Sequence, residues 1–79
     1  MTAMALPAPR AELDGGDRRC GELLLALKLE MDRLRAGEVL KLISHDPAAP
    51  EEVPAWCRMT GHRLLGGDSS TFYIARKEA

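Results

Sequence analysis

The residue with the clearest capacity for chemistry is Cys20, in the run Arg18-Arg19-Cys20-Gly21-Glu22-Leu23-Leu24. Two arginines precede it, and an apolar pattern of helical spacing begins directly after it. That places a thiol at the N-terminus of a helix, where unpaired backbone N–H groups and the positive end of the macrodipole favour an anion. The arginines push the same way, toward the thiolate, which is the form that attacks sulfur or carries it. Cys20 is therefore the expected reactive residue. Arg18, Arg19 and Gly21 are the expected neighbours that stabilise a charged sulfur or meet a partner.

The other candidates read differently. Cys57 follows Trp56 on the apolar side of a second helical stretch, the setting of a buried structural cysteine. His45-Asp46 stands before Pro47, where an aspartate serves a turn, and His62 after Gly61 marks a helix exit. Two cysteines are too few for a disulfide scaffold, too far apart for a CxxC pair, and lack the histidine spacing of a zinc site. No GxSxG, P-loop or GxGxxG occurs, and Gly15-Gly16 and Gly66-Gly67 read as turn glycines. No metal or organic cofactor is expected.

The chain of 79 residues fits one domain with a thin core. A formal net charge of -1 gives no global reason to expect nucleic acid or an anionic membrane. Trp56, Phe72 and Tyr73 are the whole aromatic supply, which also argues against direct nucleic-acid binding. No apolar stretch suffices to span a membrane, and the N-terminus lacks the basic start of a signal peptide. The expected compartment is the reducing cytoplasm.

The elements that must position Cys20 follow from periodicity. Residues 1–10 read as a flexible N-terminal tail, and 11–79 as a single domain. Ala11 to Leu13 reads as a short strand, and Asp14 to Asp17 as a turn. Leu24, Leu27, Met31 and Leu34 mark a helix, widened by Leu23 and stopped at Gly37. Val39 to Ser44 is apolar on both sides, the pattern of an interior strand. A second helix is expected over Glu51 to Thr60, with Pro50 and Pro54 in or before its first turn and Gly61 as its stop. His62 to Leu65 and Thr71 to Arg76 form a hairpin across 66–70. The order β-α-β-α-β-β predicts an α/β two-layer sandwich, a mixed four-stranded sheet with both helices on one face.

These blocks together resemble the TusA/SirA family of small sulfur-carrier proteins. The resemblance rests on Leu13-Asp14, Arg19-Cys20 before a leucine-rich helix, Ala36-Gly37-Glu38-Val39-Leu40 and Asp46-Pro47-Ala48. It continues through Val53-Pro54-Ala55-Trp56-Cys57-Arg58, Thr60-Gly61-His62 and Tyr73-Ile74-Ala75-Arg76-Lys77. It covers the chain from about Glu12 onward. The resemblance implies the same sandwich fold and a cysteine that carries sulfur as a persulfide. The donor would be a protein such as a cysteine desulfurase or a rhodanese-like enzyme, and the acceptor another protein. That role maps onto Cys20. The family's Cys-Pro-x-Pro motif is degenerate here, with Gly21 and Leu23 at the proline positions. The alternative is an interaction or regulatory module that keeps the fold without carrying sulfur. RNA binding is a third reading, which the charge and aromatic content oppose.

Overall fold

A computed structural model describes residues 8–16 and 20–77. The elements are β1 (Ala11–Asp14), α1 (Cys20–Asp32), β2 (Val39–Ile43), α2 (Ala49–Thr60), β3 (Arg63–Gly67) and β4 (Thr71–Ala75). The sheet order is β1-β2-β4-β3. β1 runs parallel to β2, and β4 runs antiparallel to both β2 and β3. The connections β1-α1-β2 and β2-α2-β3 both join parallel strands and advance across the sheet in the same direction. Right-handed crossovers then leave both helices on one face, as the element order predicts.

The core lies between that face and the helices. Across the sheet, Leu13 pairs with Leu42 and Leu42 with Phe72, while Ala11 pairs with Leu40 and Leu40 with Ile74. Facing residues share a side, so these rows form one apolar surface. Leu23, Leu27, Met31 and Leu34 cover it from α1, and Ala49, Val53, Trp56 and Cys57 from α2. Leu27, Leu40, Leu42, Val53 and Ile74 are wholly buried. Lys41 and Tyr73 point to the sheet's other side, which carries no helix among the described residues, and β2 is interior as its composition predicts.

The boundaries depart from expectation in three places. α1 ends at Asp32, short of Leu34. The chain then tightens, with Arg33 and Leu34 donating N–H groups to the carbonyls of Glu30 and Met31, and this delivers Leu34 to the core. α2 starts two residues early at Ala49, and Pro54 stands inside it rather than in its first turn. The carbonyl that Pro54 cannot bond belongs to Pro50, which is exposed to solvent, while Val53 and Trp56 pin the turn to the sheet. Gly66 and Gly67 belong to β3 and pair with Tyr73 and Phe72, leaving 68–70 as the turn. Gly67 has φ 141°, and a Cβ there would overlap the Thr71 carbonyl, so only glycine permits this strand pairing. Asp68 closes the turn by accepting the N–H groups of Ser70 and Thr71, each at 2.9 Å.

α2 ends at its glycine as expected, whereas α1 stops before Gly37. Gly61 takes φ 88° beyond α2 and donates to the Cys57 carbonyl. Of the expected tail, residues 1–7 lie outside the described residues. Arg10 donates its N–H to the Val39 carbonyl at 2.7 Å.

Candidate functional site

The start of α1 is fixed to one end of the sandwich by the short segment ahead of it. Gly15 donates to the Ile43 carbonyl at 2.7 Å, and the Gly16 carbonyl accepts the His45 N–H at 3.0 Å. These bonds prolong the pairing of β1 with β2 beyond the strands themselves. The Asp14 carboxylate accepts the Gly16 N–H at 3.0 Å and shapes the bend. Gly15 lies directly beneath Leu23, in the first turn of α1, and a Cβ there would overlap Leu23 Cδ1. Because Leu23 is buried in the core, the close approach of a glycine sets how deeply the helix start can sit.

The loop after β2 completes this end. Ser44 is 1% exposed. Its N–H donates to the Ser70 carbonyl and its Oγ accepts the Asp46 N–H at 3.2 Å. Asp46 in turn accepts the Ala48 N–H at 2.9 Å, ahead of α2. The β1–α1 segment and the β3–β4 turn therefore both bond the β2–α2 loop, at the end of the sandwich where α1 begins.

Of the expected site residues, Cys20 and Gly21 lie among the described residues. Cys20 is the first residue of α1. Its backbone therefore belongs to the turn whose N–H groups have no intrahelical partner. Gly21 is exposed, with no atom within 4 Å of the position its Cβ would take. Arg18 and Arg19 lie outside the described residues. Leu23, at the second degenerate position of the motif, is part of the core.

Cys57 is far from this end, one turn from the end of α2, and 3% exposed. Burial pushes its thiol up to about 11, with Arg58 opposing weakly. At neutral pH it is a thiol held among apolar groups, not a nucleophile. Asp46 is occupied with the turn before α2 and His45 is exposed on it. His62 stacks on Trp56 with ring centroids 5.3 Å apart, and its Nδ1 accepts the Lys77 N–H at 3.0 Å. Burial, then the charges of Lys77 and Arg76, hold the imidazole below its usual range, against the pull of Asp32. Among the described residues no cluster of histidine, cysteine and carboxylate side chains has the makings of a metal site. None of the helices there is long and apolar enough to cross a membrane.

The sequence did not expose the parts played by Gly15 and Ser44. Gly15 reads as a turn glycine, and only its approach to Leu23 shows a packing role. Ser44 carried one usable signal, its spacing two residues before Asp46, which suits side-chain-to-backbone bonding at a turn.

Fold and site together define a class: a small two-layer α/β domain with a cysteine opening its first helix at the end where the loops converge. A family model described as sulfurtransferase TusA matches residues 11–75. The sulfur carrier protein TusA of Pseudomonas putida (strain GB-1) is 38% identical over 74 residues, covering 90% of this chain and 92% of the relative. That of Pseudomonas entomophila (strain L48) is 38% identical over 72 residues, covering 87% and 90%. The chain belongs to the TusA family.

Proposed function

We propose that this protein is a sulfur carrier that accepts persulfide sulfur on Cys20 and relays it to an acceptor protein. The observation that carries the reading is the start of α1 at Cys20, set by Gly15 and Gly16 against the exit of β2. In the loading step the Cys20 thiolate attacks the terminal sulfur of a donor cysteine persulfide. The new S–S bond forms as the donor's S–S bond breaks, and the donor leaves as a thiolate. Cys20 then holds a persulfide, anionic at neutral pH. In delivery a nucleophile of the acceptor attacks that outer sulfur, and the Cys20 thiolate is returned. Neither step needs an outside oxidant or a metal.

The helix start supports the anionic states at both stages through its free N–H groups and dipole. Arg18, Arg19 and the N–H of Gly21 are assigned to stabilising the persulfide or meeting the partner. The donor fits a cysteine desulfurase or rhodanese-like enzyme, and the compartment is the cytoplasm, where both thiols stay reduced.

The test is to load the protein from a persulfide donor and locate the added sulfur by mass spectrometry. Sulfur on Cys20, lost in Cys20→Ser and kept in Cys57→Ser, is expected. Sulfur on Cys57 alone would overturn the assignment. A folded protein that takes up none favours the second reading, an interaction module. The observation behind that reading is the replacement of the motif prolines by Gly21 and by the core residue Leu23.

A further inference from the structure

The charges of the described residues are unevenly placed. All the strands and both helices run between two ends of the sandwich, and the charges sort between them. At the end where α1 begins stand Asp14, Glu22, Asp46, Glu51, Glu52 and Asp68; no described lysine or arginine joins them, while Arg18 and Arg19, which precede Cys20 in sequence, lie outside the described residues. At the opposite end stand Arg10, Arg33, Arg35, Arg63, Arg76 and Lys77, against Glu30, Asp32 and Glu38. That these belong to one end follows from bonds that cross it. Arg10 bonds Val39, Gly37 bonds Arg76, Arg76 bonds Glu38, and Lys77 bonds His62.

Helix stability accounts for only part of this. Acidic first turns and a basic last turn suit the macrodipoles and explain Glu22, Glu51, Glu52 and Arg58. Arg76 serves α1 by donating to the Leu34 carbonyl just past its end. Arg10 and Arg33 have acidic neighbours, Glu38 at 3.5 Å and Glu30 at 3.7 Å. Arg35, Arg63 and Lys77 are exposed at strand ends and connections, and no carboxylate among the described residues pairs with them. At Lys77 lies a cleft of about 290 Å³ lined also by Trp56, Met59, His62 and Arg76, with the Asp32 carboxylate on its wall paired to Lys28 at 2.9 Å.

We infer that this basic end is a second docking surface, for an acidic segment of a partner protein, away from the end that carries Cys20. Three features favour a protein over a nucleic acid. Interleaved carboxylates break the basic field that a phosphate backbone needs. Trp56 is buried against the sheet, so no exposed aromatic offers a base-stacking platform. Trp56 and exposed Met59 give the cleft an apolar side suited to an apolar side chain flanked by acids. A carrier held by this end keeps its thiol end free for exchange.

The experiment uses the full-length Cys20→Ser protein, so that its outcome is independent of sulfur transfer. Poly-glutamate peptide is titrated while the single tryptophan is followed by fluorescence, since Trp56 lies at the proposed surface. Saturable binding at low ionic strength is expected, weakened at about 0.15 M salt. The combined Arg35→Glu, Arg63→Glu and Lys77→Glu variant should bind roughly tenfold more weakly, and Glu51→Gln at the other end unchanged. If the triple variant fails to fold, as read by circular dichroism, Arg63→Glu alone carries the comparison with a smaller loss. Absence of peptide binding, equal binding by the charge-reversed protein, or tighter binding of poly-uridylate RNA than of the peptide would overturn the inference.

Discussion

Gly15 packs directly beneath Leu23, close enough that a β-carbon on Gly15 would overlap the Leu23 side chain. This contact couples the loop leaving β1 to the first turn of α1, the turn that Cys20 opens. Leu23 has no room to yield, because it is buried against the sheet. Gly15→Ala should therefore lift the helix start and destabilise the fold by about 1–3 kcal/mol, the usual range for overpacking. Urea unfolding checks the stability. Persulfide loading of the folded fraction should also slow, since Cys20 moves with Leu23. An unchanged urea midpoint would show that the contact relaxes freely.

Gly21 presents the opposite case. It is exposed, its φ is negative, and a side chain there meets nothing within 4 Å. As the second residue of α1 it has no intrahelical acceptor for its N–H. Gly21→Pro should raise stability by about 0.4–1 kcal/mol through the unfolded chain, as an upward shift of the urea midpoint. A fall would mean that Cys20 needs a backbone conformation that a following proline forbids.

Cys57 should behave as an inert thiol. Its burial and its raised pKa, about 11, both oppose thiolate formation in the folded protein. In Cys20→Ser, alkylation of Cys57 at pH 8 should be slow in buffer and fast in urea beyond the unfolding midpoint. Equal rates in the two conditions would contradict its burial.

His62 should make the fold acid-sensitive. Its Nδ1 accepts the Lys77 N–H, a role open only to the neutral ring, and burial also disfavours the cation. The folded pKa lies below the unfolded value of about 6.5, so the unfolded chain binds protons first as pH falls. The contribution of His62 is complete above about pH 6.5 and is lost as pH falls through the lower, folded value. Urea midpoints of the natural protein and His62→Gln, measured from pH 7.5 down to pH 5, check this. The natural protein should lose more over that interval, and parallel profiles would remove His62 as the cause.

The order of elements, the leucine stripe of α1, the buried side of α2 and the position of Cys20 at a helix start were all legible in the residues alone. Each is a local matter of periodicity or of glycine and proline placement, which neighbouring residues settle among themselves. Element ends were less legible. Leu34 reaches the core through a tightened turn rather than α1 proper, and Pro54 is tolerated inside α2 because the sheet holds Val53 and Trp56. Packing alone shows that Gly15 lies beneath Leu23, that the Gly16 carbonyl meets the N–H of His45, and that Arg10, Arg63 and Lys77 gather far from the start of α1. Those relationships join residues that are distant in sequence or parted by a turn. They depend on the parallel pairing of β1 with β2 and on the hairpin that returns β4 between β2 and β3. A net charge is a sum without positions, so the uneven placement of the described charges appears only once the strands have been given their directions.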